Sequence, residues 1–263
     1  MRAYLQIFRS GVHASWVMYS VELTPAVFFG SKIPRAVLQA LFFVYIALAA
    51  GGPELARFAL IGNAVHAAVL PALVYMAIVI ELEKWAATLP YLIASPAHWL
   101  PMMIGRSAAT FADAFFSTVV VVVIMVPFLG GDILALNLLR AVPLLLVTVA
   151  SVSGLGWLIG AISLPLRWGT LISNMTAYAM MVLCGVNFPI TALPPLFQTI
   201  GRALPLTHGL LAVRLVVDGA TYSQVAGLML TEILIGCLYG AAAWLLFGQR
   251  LRVARQRGSL ELV

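Results

Sequence analysis

In a chain this apolar, the residues able to do chemistry are few. Asp113 and Glu232 stand deep inside long hydrophobic runs, and Asn63, His66, Arg106 and Asn174 share that setting. An unpaired charge in hydrocarbon is expensive, so an ionisable group kept there is functional or paired by default. Arg106 precedes Asp113 by two helical turns on the same face, which allows a cross-turn pair or an arginine that snorkels to the interface. Such a pair fixes helix packing more readily than it touches a substrate. Glu232 has no partner nearby in sequence, so it meets a polar group on another helix or is carried uncharged. Asn63, His66 and Asn174 are candidates to line a path; each is equally an ordinary interhelical hydrogen-bonding residue.

Enzymatic readings find little support. Ser117, His66 and Asp113 form a triad only on paper, because no spacing supports it and no Gly-x-Ser-x-Gly elbow is present. His13, His66, His98 and His208 are scattered without ligand pairs at helical spacing, so no metal site is expected. Cys184 and Cys237 lie in apolar runs, where a reduced buried thiol is the ordinary state. A phosphate-cradling loop needs a lysine behind glycines. The lysines are Lys32 and Lys84, and neither has that context. No catalytic residue and no cofactor bound by the chain itself are expected, and any nucleotide work falls to a partner.

The elements that must position these residues follow from composition. Of 263 residues, 63% are hydrophobic and 9% charged, whereas soluble domains carry about a quarter charged residues. The apolar runs are long and continuous, which predicts membrane helices and excludes barrel strands. The surplus of 15 basic over 9 acidic residues fits positively charged flanks of spans better than nucleic-acid binding. Residues 1–32 place Tyr4, Ile7, Phe8, Val12 and Trp16 mostly on one helical face, as in a helix lying in the interface. Residues 33–249 read as one membrane domain with spans near 36–50, 57–80, 102–129, 138–164, 170–186 and 222–247, and 250–263 as a basic tail. Arginines and Lys32 before the first span and arginines after the last put both termini in the cytoplasm.

Two polar insertions interrupt the spans. Residues 81–101 carry Glu81, Glu83 and Lys84 beside Trp85, Leu89 and Leu92 and are broken by Pro90 and Pro96, the pattern of a short helix at the cytoplasmic surface. Residues 187–219 hold Pro189, Pro194, Pro195 and Pro205, so no single helix runs through them. The apolar pieces between predict two short helices that enter the membrane from outside and turn back, a backbone tolerated at depth only when buried in protein or lining a wet cavity.

Three stretches, Phe58 to Asn63, Glu81 to Pro96 and Asn187 to Arg214, give the chain its family likeness. It resembles the permease subunits of ABC-2 type exporters, the group that contains daunorubicin-exporter, nodulation-factor-exporter and polysaccharide-exporter permeases. The third stretch is the most specific, with Phe188-Pro189, Leu193-Pro194 and Leu204-Pro205-Leu206-Thr207 ahead of an arginine. One departure is Ala86-Ala87-Thr88-Leu89-Pro90, where relatives usually show a glycine before Thr-Leu and an acidic residue after it.

The resemblance implies an all-α integral membrane protein of the type V exporter fold. Its six transmembrane helices follow an N-terminal amphipathic helix, and a re-entrant helix pair lies between helices 5 and 6. It further implies that Glu81, Glu83, Lys84, Trp85, Thr88, Leu89, Leu92, Ser95 and Pro96 couple to an ATPase. Phe188, Pro189, Pro194, Pro195, Arg202, Pro205, His208 and Arg214 would belong to an external gate, with the two arginines and the histidine at the outer interface. The implied partners are two copies of an ABC ATPase that supply ATP and Mg, a second permease protomer and membrane lipids, in a bacterial cytoplasmic membrane. The alternative from another class is a proton-coupled transporter working alone through Asp113 and Glu232.

Overall fold

A computed structural model describes residues 2–22, 24–79, 99–125, 134–164 and 168–257. Among these residues there is no strand. The helices are α1 (Arg2–Glu22), α2 (Ile33–His66), α3 (Trp99–Arg106), α4 (Ala108–Met125), α5 (Leu134–Ser163), α6 (Gly169–Leu183), α7 (Pro195–Ala203), α8 (Thr207–Val217) and α9 (Tyr222–Arg257). Widened π turns at Phe28–Lys32 and Leu70–Tyr75 extend α2 on both sides.

The helical stretch Phe28–Val79 has 52 residues, about 78 Å if it were straight, against a hydrocarbon core of about 30 Å. It is not straight. Gly52 has φ 75° and ψ −165°, and Pro53 restarts the helix after it. Glycine alone adopts that backbone readily, and proline suits a first helical turn. The two legs fold back on each other, since Lys32 Nζ comes 5.5 Å from the centre of the Tyr75 ring. The π turn at Phe28–Lys32 lengthens a first leg that composition alone left short.

Three further helices are long and apolar enough to cross a membrane: Leu100–Ile124, Asn137–Ser163 and Tyr222–Val253. The fifth expected span, α6, has only 15 residues, and α7 and α8 meet at a bend of 87°. The basic tail expected from residue 250 begins as a continuation of α9 to Arg257.

The core is organised on α5, whose apolar window is 61% buried against 11% for α9. Leu144, Val149, Val152 and Leu155 of α5 belong to the same buried cluster as Val69, Ala72 and Leu73 of the second leg and Leu210, Val213 and Val216 of α8. Small residues let α5 and α9 approach closely. A Cβ on Gly236 would stand 2.7 Å from Ser151 Cα. The interface helix α1 crosses α3 in the same way, because a Cβ on Gly11 would stand 2.6 Å from Met102 O.

The bundle has two distinct ends. At one, Val79, Met103, Leu164, Phe247 and Leu251 cluster together; Val79 and Trp99 are the described residues that flank the segment expected to couple. At the other end are the Gly52 turn and an Arg57–Asp218 ion pair of 2.7 Å. There too, Asn137 Nδ2 donates to Val217 O at 3.1 Å and Tyr222 OH to Arg140 O at 2.9 Å. The broken pair α7–α8 therefore ends on the side away from Val79 and Met103.

Candidate functional site

The break between α7 and α8 is set by local chemistry and held by distant residues. Pro194 and Pro195 open α7 with proline in its first turn, and Pro205 denies the chain a donor just after its end. Leu206 then takes φ 94°, the one positive φ among described residues that are not glycine. A branched side chain there is strained, so surrounding structure must hold it. No local side chain caps α8, which leaves its first N–H groups without partners inside the helix.

The missing cap comes from α9. Glu232 is fully buried; its Oε1 accepts from Leu206 N at 2.7 Å and its Oε2 from Gly209 N at 3.0 Å. One donor on each oxygen is the pattern an ionised carboxylate accepts, and its charge faces the positive end of the helix dipole. The same turn is tied by Thr207 Oγ1 donating to Gly201 O. Ser151 Oγ of α5 donates to Glu232 O at 3.0 Å. Gly209 rides directly on α5, for a Cβ there would stand 2.9 Å from Thr148 Cβ.

A second latch holds the far end of α8. Arg214 is buried, with Nη1 donating to Gly185 O at 2.8 Å and Nη2 to Val186 O at 2.8 Å and Phe58 O at 3.0 Å. Its guanidinium carbon lies 3.4 Å from the centre of the Phe58 ring, so carbonyl dipoles and a π face compensate the charge. Beside it Asn63 Nδ2 donates to Asn187 Oδ1 at 2.7 Å and to Ala59 O at 2.8 Å. Gly62 leaves the space for Val186 O, which a Cβ would strike. Two stretches far apart in sequence, Phe58 to Asn63 and Gly185 to Asn187, thus form one joint around Arg214.

This corrects one expectation. Arg214 is not exposed at an outer interface; it is a buried internal strut, and the exposed Asp218 forms its ion pair with Arg57. Arg202 is exposed, with a contact of 3.4 Å to Gln198, and His208 is half-buried. Pro194 and Pro195 are exposed, Phe188 is half-buried, Pro189 is exposed and Pro205 is buried.

The remaining intramembrane groups stand apart from the break. Asp113, buried in α4, is bound by Lys32, whose Nζ also lies 3.0 Å from Tyr19 OH. Lys32 was the partner that spacing along one helix did not suggest, although a lone lysine heading an apolar run was its signal. Arg106 closes α3 half-buried. His66 Nε2 meets Ala177 O of α6 at 3.2 Å, and Asn174 donates to Thr170 O of its own helix at 2.8 Å. Ser117, His66 and Asp113 make no triad in these contacts. Glu81, Glu83, Lys84, Trp85, Thr88, Leu89, Leu92, Ser95 and Pro96 lie outside the described residues.

The family model for the ABC-2 type transporter matches residues 24–217, which reach from just after α1 to the end of α8. The chain belongs to the ABC-2 type transporter family. It is therefore a membrane transport component of an ABC system rather than a catalytic chain, and no individual curated protein matches it. Both latches acquire a context from this membership. Arg214 and the two stretches it joins fall within the matched region, while Glu232 reaches into that region from α9 beyond it.

Proposed function

We propose that the chain is the permease of an ABC exporter and forms, with a second permease protomer, a route for an amphiphilic cargo such as a lipid, a glycan-bearing lipid or a drug-like molecule. ATP hydrolysis in two copies of a separate ATPase drives it. The ATPases dock on residues 81–101 from the cytoplasm, where both termini lie, in a bacterial cytoplasmic membrane. Both legs of Phe28–Val79 and α6 count as crossings, which makes six. The α7–α8 pair closes the external end of the route.

The observation that carries this reading is the latched break itself: a helix pair bent by 87°, inside the family-matched region, pinned by a carboxylate and a guanidinium that serve no chemistry of their own. Asp113 and Glu232 each already hold a partner of their own, so nothing favours a proton relay between them.

The test is reconstitution of the chain in liposomes with and without its P-loop ATPase. ATP-dependent efflux that needs the ATPase, and that falls on Trp85→Ala or Glu83→Arg together with ATPase association, supports the reading. Transport driven by a proton gradient without ATP overturns it.

A further inference from the structure

Away from the α8 break, a groove of about 590 Å3 opens between α1, the start of α4, α5 and α9. On α5 its lining runs from Val147 to Trp157, about 15 Å of helix; on α9 it runs from Ile233 to Gly240. Phe8 of α1 and Ile104 line it where α1 packs on α3, beside Met103 of the end cluster. The groove therefore starts under α1 and stops halfway along α5, level with Glu232, whose carbonyl takes the Ser151 hydroxyl. Its polar side chains are already spent. Ser107 Oγ donates to Met103 O and accepts from Trp157 Nε1, both at 2.9 Å. Ser151 Oγ and Ser153 Oγ donate to Glu232 O and Val149 O at 3.0 and 2.7 Å. None of the described lining residues is charged.

From this geometry we infer that the groove holds one long acyl chain of a phospholipid from the leaflet on the side of α1. Three observations select that occupant. With its hydroxyl and indole hydrogens bonded inside the protein, the lining keeps only the weak S–H of Cys237 to donate, so a polar occupant would find no donor there. The length suits one leaflet, half of a hydrocarbon core of about 30 Å, whereas a partner's membrane helix would run on across the other half. The mouth lies under the interface helix, which leaves the head group at the membrane surface while the chain descends. Binding gains no hydrophobic energy, because bulk lipid tails are as apolar as leucine. What it gains is contact, since walls that face a gap lose their dispersion partners. A long chain fills the groove down to Ile233, and a short one leaves the deep end without contacts. The chain so bound braces α5 against α9 where Ser151 meets the backbone of Glu232.

The experiment reads Trp157 in the groove against Trp244, which is 51% exposed on α9 and outside the lining. The full chain is placed in nanodiscs of dilauroylphosphatidylcholine and titrated with phosphatidylcholine carrying dibrominated stearoyl chains, so the two lipids differ in their tails alone. Each signal is isolated by subtracting the Trp157→Phe or Trp244→Phe variant. Half-maximal quenching of Trp157 should come at a several-fold lower mole fraction of the long-chain lipid than that of Trp244. Gly240→Phe and Ala150→Phe each fill the groove from residues of its lining; a Cβ on Gly240 meets no atom within 4 Å, and Ala150 is exposed. Either should bring the two tryptophans to the same mole fraction. Equal quenching in the parent chain overturns the site, as does a long-chain preference at Trp157 that survives either substitution. Trp157 left unquenched while Trp244 is quenched would mean that a protein segment covers the groove, and overturns it too.

Discussion

Replacing Glu232 by Gln isolates what its charge does at the helix break. The amide keeps one oxygen for either Leu206 N or Gly209 N, which now lie 2.7 and 3.0 Å from separate carboxylate oxygens, and presents an NH2 to the other. The surviving bond drops from charge-assisted to neutral, a loss of about 1 kcal/mol, and the second N–H is left buried without an acceptor at about 1–3 kcal/mol. Local opening of the turn therefore becomes easier by about 2–4 kcal/mol, which speeds amide exchange there roughly thirtyfold to several hundredfold. Global stability moves less, because burying an amide costs less than burying a carboxylate. Hydrogen exchange by mass spectrometry on peptides covering residues 206–210 reads the local effect, and unfolding in mixed micelles reads the global one. Glu232→Asp, one methylene shorter, should fall between parent and Gln. If the Gln variant exchanges within threefold of the parent in those peptides, the carboxylate is not what holds Leu206 at its positive φ.

Arg214→Lys should lower unfolding stability in micelles by about 3 kcal/mol, since one ammonium can neither reach all three carbonyls nor stack flat on Phe58; Arg202→Lys on the exposed face should stay within about 0.5 kcal/mol. Gly62→Ala forces a Cβ against Val186 O and should cost about 1–3 kcal/mol. By contrast Gly227→Ala in α9, with no atom within 4 Å of the new Cβ, should stabilise by about 0.5–1 kcal/mol. Asn63→Leu breaks the bond to Asn187 and should cost about 1–3 kcal/mol, read in the same assay. In exchange experiments on the ATPase complex, nucleotide should change protection in α7 and leave α8 protected.

Periodicity and apolar length made the helices legible, and proline placement made the break between α7 and α8 legible, because both are local properties of the chain. The latches were not local. Glu232 had been noted as a carboxylate without a neighbour; its partners are backbone N–H groups of Leu206 and Gly209, and backbone donors leave no mark in composition. The family resemblance put Arg214 at the outer interface of an external gate. Its cage of Gly185 O, Val186 O and Phe58 O depends on a tertiary approach that Gly62 permits. Lys32 and Asp113 meet across different helices, so helical spacing around Asp113 pointed to Arg106 instead. The fold-back at Gly52 falls in the gap between the spans expected near 36–50 and 57–80, although the first leg gained its length from a π turn that no residue pattern announces.

The latches also divide the broken pair into a firmly held half and a less firmly held one. α8 is bound at its start to α9 through Glu232, at its last turn to the second leg and the α6 exit through Arg214, and along its length to α5 through Leu210, Val213 and Val216. α7 has fewer such ties: Tyr239 OH of α9 donates to Ala203 O at 3.3 Å, and Gly201 packs on the end of α6, where a Cβ would stand 2.1 Å from Leu183 O. Leu196, Phe197 and Ile200 are 68%, 44% and 40% exposed, and Gly201 is the one buried residue of the helix. Gln198 ties α7 back to the turn before it, through Leu193 O at 2.8 Å. A force arriving through α5 or α9 therefore carries α8 along as part of the bundle and reaches α7 only at its C-terminal end, through Gly201 and Ala203. The strained φ of Leu206 then lies at the break between the two, and Glu232 sets which side of that break is the more firmly held.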